Sequence, residues 1–372
     1  MVLEILFWLI IFTVIYSFIG YPLILLLLSL FKRKKEMKFV NYSPSVTMMI
    51  SAFNEENVID EKIENSIQLE YTNLEIAIVS DGSNDKTIEI CKKYSNKIRI
   101  FDFAENQGKN AALNQALKEI ESDLIVFSDA NSIYNKDAVL QLVKHFQNEK
   151  IGCVNGRLQL ITDENQIGNG ENIYWNYENI LKSLESRFGQ LISANGAIFC
   201  ARRSLLNPMY NDIPNDFFIP IDILTQGCKV IYEPNAIAYE KTAATAENEY
   251  KRKVRIINRS FQLFLRYKNK MKGFLKFEFY SHKLIRWMIG VFALILLIIS
   301  ALLCGKTLYL VLLLCQVLLY TTGLLSYILK PKSKIFTLPY YISLIILSSF
   351  KAFWDVITGK TYSKWSNLRE EK

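Results

Sequence analysis

Residues 46–56, VTMMISAFNEE, join an apolar β-rich run to a polar tip. The same arrangement returns at residues 74–85, LEIAIVSDGSND, and at residues 124–131, LIVFSDAN, while residues 98–103 form another β-rich run. Helical patterns lie between these runs, at Val58–Leu69, Lys86–Tyr94 and Lys109–Ile120. Strand and helix therefore alternate, which predicts an α/β domain with a mostly parallel sheet covered by helices on both faces.

The polar residues after these strands are the first candidates for a functional site, because ligands of such sheets bind beyond the carboxyl ends of the strands. The candidate tips are residues 51–56, 81–85 and 128–131, each directly after a predicted strand. Each tip also has a structural alternative: residues 81–83, Asp-Gly-Ser, are a good turn followed by a helix N-cap. Their coincidence at three strand ends favours a binding site over three unrelated caps.

Composition narrows the class of protein and of site. The chain has 372 residues, 51% of them hydrophobic, and a formal net charge of +8. Much of the positive charge lies beside apolar runs, which fits contact with membrane lipid. Binding of nucleic acid is less favoured, because the sequence lacks the basic stripe interleaved with aromatics that such binding would require. The six cysteines form no CxxC pair, which is typical of free thiols in a reducing compartment. With two histidines, a metal site would rely mainly on oxygen ligands.

Apolar runs near both ends predict transmembrane helices. The first run, Val2–Phe31, holds one charge and is followed by four basic residues. Three more runs lie near the C-terminal end, at Trp287–Cys304, Thr307–Leu329 and Ile335–Phe350. The last has 16 residues before Lys351, so it could cross the membrane or re-enter it. One N-terminal span and two to three C-terminal spans are therefore expected.

The charges beside the runs predict an orientation. Residues 32–35, Lys-Arg-Lys-Lys, should stay in the cytoplasm. This places Met1 on the outer side of the plasma membrane and the α/β domain on its cytoplasmic side. Three C-terminal spans would then leave the tail outside, although it carries Lys360, Lys364, Arg369 and Lys372. An interfacial or re-entrant third segment would remove the conflict, and both arrangements stay open.

The chain therefore divides into five expected parts. Aromatics and lysines alternate between Ser260 and His282, which is typical of an amphipathic segment at a membrane interface. The parts are an N-terminal span (1–31), a soluble domain (39–250), an interfacial segment (251–283), a membrane region (284–357) and a tail (358–372).

Several motifs give the chain a resemblance to a known family. They are SAFNEE, VSDGSNDKT, GKNAALNQAL, FSDAN, NGAIFCARR, NDFFIP, GCKVIYEPNAIAYE and YKRKVRIINR, in this order between residues 45 and 290. As a set they resemble the membrane-bound branch of family 2 glycosyltransferases, which includes synthases of cellulose, hyaluronan and poly-N-acetylglucosamine. The resemblance implies a GT-A-like nucleotide-sugar domain.

The resemblance also implies donor-binding roles. Phe53, Asn54 and Glu56 match residues that line the uridine pocket. Asp81 matches the aspartate that binds the nucleotide's base, and Lys109 and Arg255 are further residues on the donor side. Asp129 and Asn131 match the Asp-x-Asp motif that binds ribose and a metal, either Mg²⁺ or Mn²⁺. Asparagine in place of the second aspartate should weaken metal binding, because an amide oxygen ligates without charge.

The catalytic and acceptor-side residues are implied in the same way. Asp216 matches the aspartate that serves as catalytic base and faces the acceptor, although the acidic residue before it is replaced by Asn215. Asn195 and Gly196 match the acceptor-side turn, and Trp175 is a plausible saccharide contact, with packing against the sheet as its alternative. In the Gln-x-x-Arg-Trp motif, Arg255 is retained and Ile256 replaces tryptophan, which disfavours long-chain synthesis.

These expectations predict inverting transfer of a sugar from a nucleotide-sugar donor, expected to be a UDP-sugar, to a saccharide or lipid-linked acceptor in cell-surface polysaccharide synthesis. A transferase that adds one sugar to a lipid-linked acceptor fits as well as a processive synthase. A non-catalytic partner of a polysaccharide export complex is the alternative of another class, favoured by Asn131 and Asn215. A pure transporter would need polar residues within its spans, and the apolar runs hold almost none.

Overall fold

A computed structural model describes residues 1–32, 42–161, 166–241, 246–329 and 336–362. The predicted basic residues 33–35 and the tail residues Lys364, Arg369 and Lys372 lie outside these ranges. The strands are β1 Val46–Ala52, β2 Leu74–Asp81, β3 Arg99–Phe103, β4 Leu124–Asp129, β5 Ile133–Tyr134, β6 Ile151–Ile161, β7 Phe199–Arg202 and β8 Lys229–Lys241. They form one sheet in the order β3-β2-β1-β4-β7-β6-β8-β5.

The sheet is mostly parallel, as the alternation of strands and helices predicts. Strands β3, β2, β1 and β4 run in parallel, and β6 is parallel to β8. Strand β7 is antiparallel to β4 and β6, and the short β5 is antiparallel to β8. Because β1, β2 and β4 point the same way, their three polar tips meet at one edge of the sheet.

The helices are α1 Val2–Ile15, α2 Tyr21–Leu30, α3 Ile59–Ile67, α4 Thr87–Lys92, α5 Lys109–Leu117, α6 Ala138–Val143, α7 Gln166–Ser186, α8 Asn215–Thr225, α9 Ala246–Tyr267, α10 Gly273–Glu278, α11 Ile285–Trp287, α12 Ile289–Leu302, α13 Thr307–Leu329 and α14 Thr337–Ile357. Successive residues of β1 point to opposite faces. Met48 and Ile50 pack with α3, α4 and α6, whereas Met49 packs with α5, α8 and α9. Both faces are thus buried, which explains the unbroken apolar strands.

Helix α8 starts at Asn215, directly after Pro214. Proline is favoured just before or at the start of a helix because its φ is preset and it needs no N–H partner there. Asp216 therefore lies in the first turn of α8, where the helix dipole favours a negative charge.

Among the described residues, three helices are long and apolar enough to cross a membrane: Val2–Ser29, Thr307–Leu329 and Leu338–Ile357. The Trp287–Cys304 run differs from the expected straight span, because α12 has only 14 residues. It qualifies only together with Gly273–Trp287, to which it is bent by 59°. Glu4 forms an ion pair with Lys306, so the turn between α12 and α13 lies at the same end as Met1.

Helix α14 is longer than the expected segment, since it continues through Lys351, which pairs with Asp355 one turn later. Its course follows α9. Lys253 lies over the Tyr341 ring, 5.2 Å from its centroid, and at the other end Asn258 Nδ2 donates to Lys360 O at 2.9 Å. A helix as basic as α9 does not cross a bilayer, so the contacts of α14 favour the interfacial alternative for this segment.

The aromatic side chains of residues 251–283 pack against other aromatic rings of the protein. Phe261 packs against Trp287 with ring centroids 5.3 Å apart, and Phe264 stacks on Phe279 at 5.6 Å. Phe274 packs against both Phe188 and Phe277. Protein packing therefore accounts for the aromatic spacing, and contact of this segment with lipid remains a prediction.

Candidate active site

Asp81 ends β2 and binds the loop before α5. Its carboxylate accepts hydrogen bonds from the backbone N–H of Gln107 at 2.9 Å and of Gly108 at 2.8 Å. Burial raises the pKa of Asp81, and these two hydrogen bonds oppose that rise. At Gly108 the backbone has a φ of 100°, a conformation that favours glycine. Asp81 therefore shapes the loop that carries Lys109, and contact with a donor base stays a prediction.

The tip after β1 is bound to the tip after β2. The N–H of Asn84 donates to Asn54 Oδ1 at 2.9 Å, and the N–H of Lys86 donates to Glu56 Oε2 at 3.0 Å. Asn54 has a left-handed φ of 56°, which asparagine tolerates better than most residues. Phe53 is half-buried beside this junction. The side chains of Asn54 and Glu56 thus hold the two tips together, and a uridine pocket here remains a prediction.

Asp129 ends β4 and forms an ion pair with Lys109, the first residue of α5. Ser51 Oγ, at the end of β1, lies 3.5 Å from Asp129 Oδ1. The Asp129 side chain keeps 35% of its surface exposed, and Asn131 follows on the same turn, half-buried. The structure therefore joins the tips of β1 and β4 with Lys109 around one accessible carboxylate.

Asp216 reaches the same place from α8. The backbone N–H of Gly196 donates to Asp216 Oδ2 at 3.2 Å, and the N–H of Ala194 donates to Asp216 O at 2.7 Å. A Cβ on Gly196 would lie 3.2 Å from Asp129 Oδ2 and 3.6 Å from Asp216 Oδ2. Two carboxylates that are distant in the chain therefore face one small space that Gly196 leaves open.

The groups around Asp216 shift its pKa in both directions. Burial is the main cause that raises the pKa of Asp216; Lys109 lowers it, and Asp129 raises it further. Arg259 and Lys182 also lower it. A half-buried carboxyl with a raised pKa beside several cations is typical of functional sites.

Two arginines of α9 lie one turn apart on the same side of the helix. Arg259 Nη2 donates to the carbonyl oxygens of Asn211 at 2.9 Å and Ile213 at 3.0 Å, so it is fixed beside the segment that leads to Asp216. Arg255 is half-buried one turn earlier. The structure thus identifies Arg259 as a cation of the site, and the donor-binding role of Arg255 stays a prediction.

Hydrogen bonds within the domain hold the turn at Asn195 and Gly196, the expected acceptor-side turn. Asn195 is buried, its N–H donates to Asn155 Oδ1 at 2.6 Å, and its Nδ2 donates to Gly156 O at 3.3 Å. Trp175 is half-buried and packs against the α3 side of the sheet. These contacts account for both residues as supports of the site, and direct contact of either with an acceptor remains a prediction.

Lys62 is a buried cation near the site that the motifs do not indicate. Its Nζ donates to Ser132 O at 2.5 Å and lies 3.9 Å from the centroid of the Tyr134 ring. Burial lowers the pKa of Lys62 to about 7, and the charges of Asp129 and Glu240 oppose this. Its position three residues after Ile59, on the apolar side of α3, was the available signal in the sequence.

Comparison with known proteins identifies the domain that carries these residues. Residues 47–207 match the profile of glycosyl transferase family 2. These residues therefore resemble a family 2 glycosyltransferase domain. The match includes Asp81, Lys109, Asp129 and Gly196, while Asp216 and α9 lie beyond its end.

Curated relatives of the family 2 domain are bacterial synthases. The poly-beta-1,6-N-acetyl-D-glucosamine synthase of Staphylococcus aureus is 27% identical over 229 residues, which are 59% of this chain and 56% of the relative. The protein of the same name from Staphylococcus epidermidis is 24% identical over the same shares. The chain thus spans little more than half the length of the curated relatives it matches.

Among solved structures, the fold resembles a mannosyltransferase from Pyrobaculum calidifontis in complex with GDP-Man and Mn²⁺. The TM-score is 0.72 at 20% sequence identity, and the match covers 95% of this chain and 99% of the other. The likeness therefore extends beyond the family 2 domain to the helices on both sides of it, and it confirms the GT-A-like fold.

Proposed function

We propose that this chain is a membrane-anchored, inverting glycosyltransferase. It transfers a sugar from a nucleotide-sugar donor, expected to be a UDP-sugar, to a hydroxyl of a saccharide or lipid-linked acceptor in cell-surface polysaccharide synthesis. One observation carries the proposal: Asp129 and Asp216 face the same open space at Gly196. The family 2 domain supports the reaction class.

Asp216 is the catalytic base in this proposal. The acceptor hydroxyl gives its proton to the Asp216 carboxylate as its oxygen attacks the anomeric carbon. The bond from that carbon to the diphosphate oxygen breaks, and the nucleoside diphosphate leaves with the electron pair. Attack opposite the leaving group inverts the centre, so an α-linked donor gives a β-linkage. Burial, which raises the pKa of Asp216, makes its carboxylate a better proton acceptor.

The donor lies on the Asp129 side of the open space. Lys109 and Arg259 supply fixed positive charge for the leaving diphosphate, and Arg255 extends that charge along α9. Asp81 and the joined tips after β1 and β2 form the floor for the nucleoside. This placement leaves the acceptor to approach past Gly196 and Asn195, with Trp175 further out.

Asp129 and Asn131 fit a divalent metal, Mg²⁺ or Mn²⁺. Asp129 already attracts a cation, the Lys109 ammonium, and keeps part of its carboxylate accessible. In the described ranges no three His, Cys, Asp or Glu residues are placed to hold a metal, so phosphate and water oxygens would complete its shell. Such an ion neutralises charge on the diphosphate. The mannosyltransferase complex with Mn²⁺ supports this choice.

The orientation follows from charge and contacts together. The catalytic domain lies in the cytoplasm, and Met1 and the Glu4–Lys306 pair lie outside the plasma membrane. Helix α14 lies along α9 at the cytoplasmic interface, which keeps the basic tail inside. The chain then crosses the membrane with its N-terminal span, the α12 region and α13.

Single-sugar transfer to a lipid-linked acceptor is the second candidate. Ile256, which replaces the tryptophan of the family motif, is 43% exposed and offers no aromatic floor for a growing chain. Incubation of purified protein with labelled UDP-sugars and GDP-sugars, with and without Mn²⁺, identifies the donor. A ladder of products indicates a synthase, and one added sugar indicates the second candidate.

The base assignment is tested by Asp216→Asn. We expect turnover to fall by about 10²–10⁴-fold, the usual contribution of a general base. Binding of UDP with Mn²⁺, measured by calorimetry, should persist because the donor side is unchanged.

Asp222→Asn, on the same helix, is the matched control. Asp222 accepts hydrogen bonds from Tyr267 at 2.7 Å and Asn207 at 2.8 Å, so its change should reduce stability while the folded fraction keeps its turnover. Full activity of Asp216→Asn would remove the base assignment. No turnover by the wild-type chain with any donor, despite nucleotide binding, would favour the non-catalytic export partner.

A further inference from the structure

Lys182 is a buried cation that the proposed mechanism leaves without a role. It lies on α7 and is only 2% exposed. Its Nζ donates to Asn195 Oδ1 at 2.5 Å and lies over the Trp175 ring, 5.4 Å from the centroid. Because burying an ammonium is costly without a partner, the contact with Asn195 marks a specific arrangement.

The acidic neighbours of Lys182 on α7 are held by other groups. Glu178 binds Arg286 Nη1 at 2.8 Å and Lys283 at 3.3 Å. Glu185 Oε1 lies 2.6 Å from His282 Nδ1 and accepts from the hydroxyl of Tyr21 at 2.9 Å. Simple charge neutralisation of Glu178 or Glu185 therefore does not explain why Lys182 points to the active-site turn.

The turn that Lys182 contacts holds Asp216 on both sides of Asn195. Ala194 N–H donates to the Asp216 backbone, and Gly196 N–H donates to its carboxylate. The residue between these two donors is therefore the one that Lys182 fixes. A shift of the Asn195 backbone would move the flanking N–H groups of Ala194 and Gly196 relative to Asp216.

We propose that Lys182 is a positioning residue for the base: its ammonium fixes the Asn195–Gly196 turn, which in turn aims the Asp216 carboxylate at the acceptor hydroxyl. The inference rests on the proposed function of Asp216. Lys182 acts through Asn195 and Gly196 and touches neither donor nor acceptor.

The effect of the Lys182 charge on the pKa of Asp216 agrees with this geometry. Lys182 lowers the pKa of Asp216, as do Lys109 and Arg259, whereas Asp129 raises it. Burial, together with Lys283, lowers the pKa of Lys182 itself to about 7, and Glu178, Asp216 and Glu185 oppose this. Removing the Lys182 charge should therefore raise the pKa of Asp216, and activity should then be lost at a higher pH as the solution is acidified.

The test compares Lys182→Met with the wild-type full-length chain in detergent, using the nucleotide sugar that the wild type turns over. We expect kcat to fall by about 10–100-fold, the scale of a small misplacement of a catalytic group, with an unchanged Kd for UDP with Mn²⁺. The acid limb of the pH profile should move to higher pH. Lys182→Met and Asn195→Ala should be non-additive in kcat, because both remove one contact.

Lys144→Met is the control, since Lys144 binds Glu233 at 2.7 Å on another part of the domain and should keep its kcat. If Lys182→Met does not fold, Lys182→Gln is measured in the same way, and it too should move the acid limb. Wild-type kcat and pH profile in the folded Lys182 variant, or additive losses with Asn195→Ala, would overturn the inference. Absence of wild-type turnover would instead count against the proposed function.

Discussion

At Gly196 the site depends on the absence of a side chain. The glycine is outside the left-handed region of φ, so its backbone would accept alanine. A Cβ would instead crowd the carboxylate of Asp129 at 3.2 Å and touch that of Asp216 at 3.6 Å. A side chain here would therefore take space beside both carboxylates of the candidate site.

Gly196→Ala should lower turnover by at least about tenfold, because the methyl group intrudes where the acceptor hydroxyl must meet the base. Its midpoint of thermal unfolding should change little. Gly227→Ala is the reverse control: a Cβ there meets nothing within 4 Å, but the φ of 86° is unfavourable for alanine. That variant should lose stability and keep turnover, and a fully active Gly196→Ala would contradict the placement of the acceptor.

Among the helices, α3 supports the turn after β4, which carries the proposed metal-binding residues, from behind. Asn65 exchanges hydrogen bonds of 2.9 Å with the N–H and carbonyl of Tyr134, and Lys62 binds Ser132 O. The hydroxyl of Tyr134 then donates to Ala197 O at 2.7 Å, next to Gly196. Helix α3 thus connects the turn after β4 with the acceptor-side turn.

Lys62→Met should change how stability depends on pH. The pKa of Lys62 falls from 10.5 in its ordinary state to about 7 in the fold, so between these values the unfolded chain binds more protons. Stability from this group therefore rises with pH above about 7. The unfolding midpoint should increase less between pH 7 and pH 9 in Lys62→Met than in the wild type. Equal pH dependence of the two proteins would contradict the buried, weakly basic state of Lys62.

In the whole molecule, the membrane helices and the catalytic domain form one connected structure. Helix α14 crosses the first turn of α12 at Gly290 and the later part of α13 at Gly323, in both cases so closely that a Cβ on the glycine would collide. These ends lie opposite the Glu4–Lys306 pair, on the side where α14 also follows α9. This arrangement leads to the proposed topology.

Cysteine labelling tests that topology. Cys304 is exposed in the turn beside Lys306, and Cys228 is partly exposed on the catalytic domain. In single-cysteine variants within intact cells, a membrane-impermeant maleimide should label Cys304. Cys228 should react only after permeabilisation, since the proposed orientation places the domain in the cytoplasm. The opposite pattern would invert the proposed orientation.

Much of this architecture follows from local sequence. Alternating apolar runs and helical patterns specify β1 to β4 and the helices between them, because burial on both faces demands apolar strands. The carboxyl-end rule then places Asp81, Asp129 and the tip after β1 at one edge. The family resemblance adds Asp216, and long apolar runs indicate the membrane helices.

Only the tertiary structure decided the rest. Lys182 reads as an ordinary polar helix residue until a distant segment buries it against Asn195, and only the fold shows that Lys62 contacts Ser132. The apolar composition of α14 satisfies the criteria for a span, and only the fold shows that this helix packs against the basic helix α9. Composition and spacing describe one segment at a time, whereas the burial of a charge and the course of a helix depend on which remote segment packs against it.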